Sequence, residues 1–207
     1  MNIQIKICGM KFSENITEIA SLQPDFLGFI FYEKSPRYFK NDIPFLDKSI
    51  QKVGVFVNPT FEEVKEKVIQ YKLDLVQLHG DESADFCALI ENKLVKVIKA
   101  LSIDNKFNFN TLKIYNNSCS YFLFDTKGKH YGGNGTLFNW DILEHYALDK
   151  PYFLSGGIGL GNINAFEEFS KKEYAKNCIG IDLNSRFELE PGLKNAKTLK
   201  EFIQLIK

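Results

Sequence analysis

The fold is indicated first by short apolar runs such as Tyr121-Phe122-Leu123-Phe124, which is followed directly by Asp125. Runs of this kind, rich in Ile, Val, Leu and Phe, recur along the chain at residues 3–7, 25–31, 52–57, 75–78, 95–99, 121–124, 152–154 and 178–183. Their starts lie 20 to 31 residues apart, which is the room that a strand, a loop and a crossover helix require. Continuous apolar runs are typical of parallel strands that are buried on both faces.

Helix signals lie between these runs. The clearest is Thr60-Phe61-Glu62-Glu63, a capping box that predicts a helix over residues 61–71. Other helices are expected to begin near Ser13, Ser83 and Asn162. The last predicted helix, over residues 195–207, has one apolar face. The chain therefore reads as eight units, each a strand followed by a helix.

Such units form either a closed barrel or an open doubly wound sheet. An open dinucleotide-binding sheet is expected to carry G-x-G-x-x-G after its first strand, but here that strand ends in Ile7-Cys8-Gly9-Met10. The chain has 207 residues, short of the roughly 250 typical of this barrel but within its range. We therefore predict a parallel (β/α)₈ TIM barrel, formed as a single domain by residues 1–207.

Composition narrows the class of partner. Lys and Arg together number 26, as do Asp and Glu, so no long-range field draws the protein onto nucleic acid or an anionic membrane. No apolar run approaches the ~20 residues of a membrane helix, and the N-terminus resembles no cleavable targeting sequence. The four cysteines are widely spaced without a C-x-x-C pair, which argues against a zinc site and a disulfide framework. We expect a cytoplasmic protein that binds a small polar ligand.

The predicted C-terminal ends of the strands carry the unusual polar residues, and in this barrel that rim builds the site. Gly156 and Gly157 follow strand seven, where residues without Cβ let backbone N–H groups approach an anion. With Asn184 and Ser185 after strand eight, they predict a phosphate-binding site. The alternative is that the glycines merely turn the chain.

Four other residues at the rim are candidate site residues, and the functional interpretation is stronger for some than for others. Taken alone, Cys8 at the end of an apolar strand is more often a small core residue than a reactive one. Asp125 points more firmly to function, because a carboxylate directly after a buried strand is costly unless it has partners or a task. Arg37 and His79, each taken alone, are more often a solvated cation and a structural histidine.

In this pattern the chain resembles the phosphoribosylanthranilate isomerase family of tryptophan biosynthesis. The matching segments are Lys6-Ile7-Cys8-Gly9, Gly28-Phe29-Ile30-Phe31-Tyr32-Glu33-Lys34-Ser35-Pro36-Arg37-Tyr38, Val53-Gly54-Val55-Phe56-Val57-Asn58, Val76-Gln77-Leu78-His79-Gly80-Asp81-Glu82, Phe124-Asp125-Thr126-Lys127, Gly132-Gly133-Asn134-Gly135, Leu154-Ser155-Gly156-Gly157-Ile158, Gly180-Ile181-Asp182 and Pro191-Gly192-Leu193-Lys194. They span almost the whole chain in the family's order. Together they are highly specific, although any one of them alone is not.

The resemblance implies an Amadori rearrangement of N-(5-phosphoribosyl)anthranilate to 1-(2-carboxyphenylamino)-1-deoxyribulose 5-phosphate. It implies that Asp125 is the general acid that opens the sugar ring and that Cys8 is the general base at C2. The pKa of the Cys8 thiol is then expected to be lowered so that it can accept a proton. The resemblance requires no redox cofactor, metal or Schiff-base lysine.

The same resemblance implies the remaining contacts. Arg37 is expected to hold the anthranilate carboxylate, for which a planar bidentate donor is suited. His79 and Asp182 are expected to contact the substrate, and Gly156, Gly157, Asn184 and Ser185 to bind its phosphate.

One segment departs from the family pattern. Many members read Ser-Ser-Gly-Val-Glu after strand eight, whereas this chain reads Asn184-Ser185-Arg186-Phe187-Glu188. Losing the glycine restricts φ at Arg186, whose guanidinium then either contacts phosphate or points to solvent.

Three rival functions fit this chain less well. A related histidine-pathway isomerase is expected to use two aspartates, where this chain has Cys8 at the first position. Indole-glycerol-phosphate synthase is expected to use lysine and glutamate, which the end of strand one does not supply. The presence of both Cys8 and Asp125 argues against a phosphate-binding barrel that has no catalytic activity. The sequence leaves monomer and homodimer open.

Overall fold

Eight parallel strands form a closed barrel in the structure, a computed structural model that describes residues 3–126 and 139–206. The strands are β1 (Gln4–Cys8), β2 (Phe26–Ile30), β3 (Gln51–Phe56), β4 (Leu75–Leu78), β5 (Lys96–Ile103), β6 (Tyr121–Thr126), β7 (Tyr152–Leu154) and β8 (Cys178–Leu183). Each strand pairs in parallel with the next, and β8 pairs with β1 to close the barrel. The predicted (β/α)₈ barrel is confirmed, and every predicted run forms a strand.

Five α-helices lie in the described residues, at the positions where helix signals were found. They are α1 (Ser13–Ala20), α2 (Phe61–Tyr71), α3 (Ala84–Lys93), α4 (Ile163–Ser170) and α5 (Ala196–Ile206). The predicted capping box opens α2: the Thr60 side chain accepts a hydrogen bond from the Glu63 backbone N–H, and the Glu63 carboxylate accepts one from the Thr60 N–H.

The prediction that an α-helix follows every strand is wrong in detail. Residues 31–50, between β2 and β3, form no α-helix, and they contain Pro36 and Pro44, which lack the N–H that a helix needs. A 3₁₀-helix over Phe109–Tyr115 takes the place of an α-helix between β5 and β6. Between β6 and β7 the described residues include a 3₁₀-helix over Trp140–His145. The barrel closes through its strands, so these connections need not be α-helical.

Strand β5 is longer than predicted. It was expected to end at Lys99, but it pairs with β6 as far as Ile103, which lies opposite Thr126. Lys99 is therefore buried within the strand, where its Nζ donates to the Gly80 carbonyl oxygen and lies 2.8 Å from Glu82 Oε2. The Lys99 side chain therefore anchors the loop that follows β4 through contacts with Gly80 and Glu82.

The core has two layers, as expected of a filled barrel. The interior is packed by Phe26, Val53, Leu75, Ile98, Ala100, Leu123 and Phe153. A larger outer layer packs the strands against the surrounding helices. In the ranges that the structure describes, the helices are too short or too polar to cross a membrane.

Candidate active site

One cavity at the C-terminal ends of the strands brings together all nine residues that the sequence singled out. They are Cys8, Arg37, His79, Asp125, Gly156, Gly157, Asp182, Asn184 and Ser185. Gln77, Ser155 and Arg186 also line this cavity. In the eight-strand circle β1 and β6 are three positions apart, so Cys8 and Asp125 approach the cavity from nearly opposite sides.

Cys8 is the last residue of β1, and its side chain is 3% exposed. It lies beside Gly28 of β2, where an added Cβ would come within 2.9 Å of the sulfur, so glycine is needed at that position. Burial raises the pKa of the Cys8 thiol, although the positive charges of Lys6 and Lys194 act to lower it. The expectation of a lowered pKa is therefore wrong: desolvation of the thiolate outweighs the two ammonium groups.

Lys6 lies two residues before Cys8 on the same face of β1 and is completely buried. Its Nζ is 2.8 Å from Oδ1 of Asp182, the residue opposite it in β8. Burial alone lowers the pKa of Lys6, but the charges of Asp182 and Cys8 outweigh it and raise the pKa. Asp182, predicted as a substrate contact, is thus also the partner of a buried ammonium group that borders the thiol.

Asp125 lies near the end of β6 and is 5% exposed. Its Oδ1 accepts a hydrogen bond from the Thr126 backbone N–H at 2.9 Å. Its Oδ2 is 3.4 Å from Nε2 of His79, without the alignment of a hydrogen bond. His79 Nδ1 is in turn 3.0 Å from the side-chain nitrogen of Gln77. The side chains of Gln77, His79 and Asp125 therefore lie in a row that ends at the Asp125 carboxylate.

The Arg37 side chain forms an ion pair with Glu188. Its Nε and Nη2 bond both carboxylate oxygens of Glu188, with Nη2 2.6 Å from Oε2. The same carboxylate accepts from Lys194 Nζ at 2.7 Å, and Lys194 also donates to Asn184 Oδ1. Glu188 and Lys194 lie in a two-stranded sheet formed by β9 (Glu188–Glu190) and β10 (Leu193–Lys194). Arg37 and Lys194 thus share one carboxylate, although burial lowers the pKa of Lys194.

Replacing Glu188 with glutamine is expected to lower the free energy of unfolding at pH 7 by about 3 kcal/mol, because Arg37 and Lys194 lose their shared anion. Burial acts to raise the pKa of Glu188, but Arg37 and Lys194 outweigh it and hold the pKa below 4.5. The stabilisation is therefore present above about pH 4.5 and is lost as the pH falls through the folded-state pKa. Urea denaturation at pH 7 and about pH 3 measures this; a difference between the two proteins that does not shrink in acid contradicts it.

The predicted phosphate loop follows β7. Gly156 and Gly157 both have positive φ, 88° and 69°, and a Cβ on Gly156 would lie 2.1 Å from the Thr126 hydroxyl oxygen. Glycine at 156 is therefore required both by backbone conformation and by close approach. Next to this loop, after the neighbouring strand β8, Ser185 begins a 3₁₀ turn over Ser185–Phe187. Arg186 lies inside this turn without positive φ, so the chain accommodates the loss of the family's glycine there.

Four residues of the site were missed by the sequence reasoning: Lys6, Gln77, Glu188 and Lys194. The first two lie two residues before Cys8 and His79, and the period of two along a strand was the signal that could have found them. No such signal links Glu188 and Lys194 to Arg37, because that contact depends on the β9–β10 fold. Across residues 3–126 and 139–206, no three His, Cys, Asp or Glu side chains are grouped to hold a metal ion.

This chain is similar to known proteins in both sequence and structure. The family model described as N-(5'phosphoribosyl)anthranilate (PRA) isomerase matches residues 5–205. N-(5'-phosphoribosyl)anthranilate isomerase of Parabacteroides distasonis is 45% identical, over 98% of this chain and 92% of its own length.

Two solved structures extend the comparison. Phosphoribosyl anthranilate isomerase from Thermus thermophilus, 23% identical, has a TM-score of 0.85 over 99% of this chain and 98% of its own, which shows the shared fold. A phosphoribosyl anthranilate isomerase in complex with reduced 1-(o-carboxyphenylamino)-1-deoxyribulose 5-phosphate is 26% identical, with a TM-score of 0.79 over the same fractions. The family model and the identity to the Parabacteroides protein both cover nearly the whole chain. The chain therefore belongs to the N-(5'-phosphoribosyl)anthranilate isomerase family of tryptophan biosynthesis.

Proposed function

We propose that this chain catalyses the Amadori rearrangement of N-(5-phosphoribosyl)anthranilate to 1-(2-carboxyphenylamino)-1-deoxyribulose 5-phosphate by general acid–base catalysis. The observation that carries the proposal is the placement of Cys8 and Asp125 on nearly opposite sides of one cavity that also holds cationic and glycine-rich walls. The related structure that binds the reduced product supports it, because that ligand has the same carbon skeleton and the same two anionic ends.

Asp125 acts first, as the general acid. Its carboxyl group gives a proton to the furanose ring oxygen while the bond between C1 and that oxygen breaks. The lone pair of the anthranilate nitrogen moves to C1, so the ring opens to a protonated Schiff base and Asp125 becomes a carboxylate. Thr126 already donates to Oδ1, which leaves Oδ2 as the oxygen that faces His79 and carries the proton.

Cys8 acts second, as the general base. Its sulfur takes the proton from C2, and the C2–H electron pair forms the double bond to C1 while the C1–N double bond becomes single. The resulting enolamine then takes a proton at C1 and loses one from the C2 hydroxyl, which gives the ketone. Because burial disfavours the thiolate, its charge depends on the buried ammonium group of Lys6 beside it.

The two anionic ends of the substrate bind different groups of the cavity. Arg37 binds the anthranilate carboxylate with the guanidinium N–H groups that Glu188 leaves available. Gly156, Gly157, Asn184 and Ser185 bind the phosphate. Asp182 offers Oδ2 to a sugar hydroxyl while Oδ1 stays on Lys6, and His79 contacts the reacting sugar beside Asp125. Anchoring both ends holds C1 and C2 between the acid and the base.

Growth complementation tests this function. We expect the chain to restore growth without tryptophan to a bacterial strain that lacks its own phosphoribosylanthranilate isomerase. The Cys8→Ser and Asp125→Asn variants, expressed to the same level, are expected to fail. Absence of growth with the soluble wild-type chain, or full growth with either variant, contradicts the proposal.

Removing the guanidinium of Arg37 is expected to weaken substrate binding by roughly 1.5 to 3 kcal/mol, or about 10- to 150-fold, the range for hydrogen bonds to a charged group. Arg37→Lys is the matched variant: it keeps the charge and the ion pair with Glu188 but cannot bond the substrate carboxylate in two places. Steady-state kinetics should show a large rise in KM for Arg37→Ala and a smaller one for Arg37→Lys. An unchanged KM for Arg37→Ala would show that the substrate carboxylate binds elsewhere.

A further inference from the structure

Gln77 is a buried amide in the active-site cavity that has no place in the mechanism above. It lies in β4, two residues before His79, so both side chains point from the same face of the strand. It is 1% exposed, and its side-chain nitrogen is 3.0 Å from His79 Nδ1. Among the residues described, its oxygen Oε1 has no hydrogen-bond partner. The contact with His79 is therefore the one that fixes this amide.

This contact decides where the imidazole carries its proton. In this structure the amide nitrogen faces the ring, and an amide nitrogen only donates hydrogen bonds, so we assign Nδ1 as the acceptor without a hydrogen. A neutral ring then has its N–H at Nε2. Nε2 is the atom that lies 3.4 Å from Oδ2 of Asp125. The ring thus places an N–H beside the oxygen from which the proton leaves, although the two are not aligned as a hydrogen bond in this structure.

We propose that Gln77 is a positioning residue that holds His79 in the tautomer protonated at Nε2, so that this N–H stabilises the carboxylate that Asp125 becomes after protonating the substrate. The role at Asp125 rests on the function proposed above. Thr126 holds Oδ1, so charge that develops on Oδ2 faces His79. The separation of 3.4 Å exceeds that of a good hydrogen bond, and such contacts shorten when substrate binds and charge develops.

Nitrogen-15 NMR of the uniformly labelled full chain reads the tautomer directly. The chain has three histidines, and loss of one set of ring signals in His79→Gln assigns those of His79. In the wild-type protein, with the ring neutral, we expect Nε2 to carry the hydrogen and Nδ1 to be bare. A proton on Nδ1 overturns the proposal, because the amide would then be turned with its oxygen toward the ring.

Two substitutions of Gln77 test its effect. Gln77→Met keeps the volume but cannot donate, and we expect a mixture of tautomers with kcat lowered about 3- to 10-fold and KM changed less than about twofold. Gln77→Glu accepts from Nδ1–H, so it is expected to move the proton to Nδ1 and lower kcat further. Gln70→Met, on the exposed side of α2, is the matched control and is expected to change neither readout.

The outcomes separate this inference from the proposed function. If Asp125→Asn keeps wild-type turnover, the proposed function fails, and the NMR spectrum still tests the contact between Gln77 and His79. If Asp125→Asn is inactive but Gln77→Met leaves the tautomer or kcat unchanged, the role of Gln77 alone is wrong. A change in tautomer together with the drop in kcat supports it.

Discussion

Replacing Cys8 with serine is expected to lower kcat by at least ~100-fold while the protein stays folded. The hydroxyl nearly matches the thiol in size but is a far poorer proton acceptor, and loss of a general base costs about 100- to 10,000-fold. Because the side chain is buried beside Gly28, the smaller oxygen fits without a clash. Steady-state turnover of N-(5-phosphoribosyl)anthranilate measures the effect, and circular dichroism confirms the fold.

Cys87→Ser is the matched control for this variant. Cys87 is also a fully buried thiol, but it lies in α3, outside the cavity, and burial raises its pKa to about 12. We expect it to change stability and to leave kcat within about twofold. Turnover by Cys8→Ser close to that of Cys87→Ser would remove Cys8 from the mechanism.

Replacing Asp125 with asparagine is expected to lower kcat by at least ~100-fold as well. The amide keeps the shape of the carboxyl group, and its oxygen can still accept from the Thr126 N–H, so the local structure should persist. It has no acidic proton to give to the ring oxygen, so ring opening loses its general acid. Rapid mixing followed by detection of the ring-opened intermediate locates the block at the first step.

Asp25→Asn is the matched control for Asp125→Asn, because Asp25 lies at the opposite end of the barrel. Asp25 Oδ2 accepts from the backbone N–H of Ile5 at the N-terminal end of β1, so the same change of charge occurs away from the cavity. Its kcat should match that of the wild type. If Asp125→Asn is as active as Asp25→Asn, the acid of the reaction is a different group.

The barrel could be predicted from the sequence because its strands are marked by continuous apolar runs. Three of them, β4, β7 and β8, have the predicted bounds. The helices with cap signals were also found, as the Thr60 capping box shows for α2. The non-helical connection over residues 31–50 was not predicted, since a segment that covers a barrel strand need not be helical. β5 was cut short at Lys99, because a lysine after an apolar run reads as a strand end.

The nine predicted site residues share one cavity because parallel strands bring their C-terminal ends to one rim. Their roles in the reaction stay predictions. Lys6 and Gln77 were not predicted as site residues because the prediction considered only residues at and after the strand ends, although each is buried and faces the site. The pKa direction at Cys8 was wrong because desolvation depends on the packing around the sulfur, which no linear motif records.

The most direct test of the acid–base pair follows anthranilate fluorescence as the purified protein meets freshly generated N-(5-phosphoribosyl)anthranilate. We predict that the signal changes at a rate proportional to the concentration of wild-type protein, and that Cys8→Ser and Asp125→Asn at equal concentration leave it at the rate of the protein-free control. A wild-type rate equal to that control, or variants as fast as the wild type, would contradict the account.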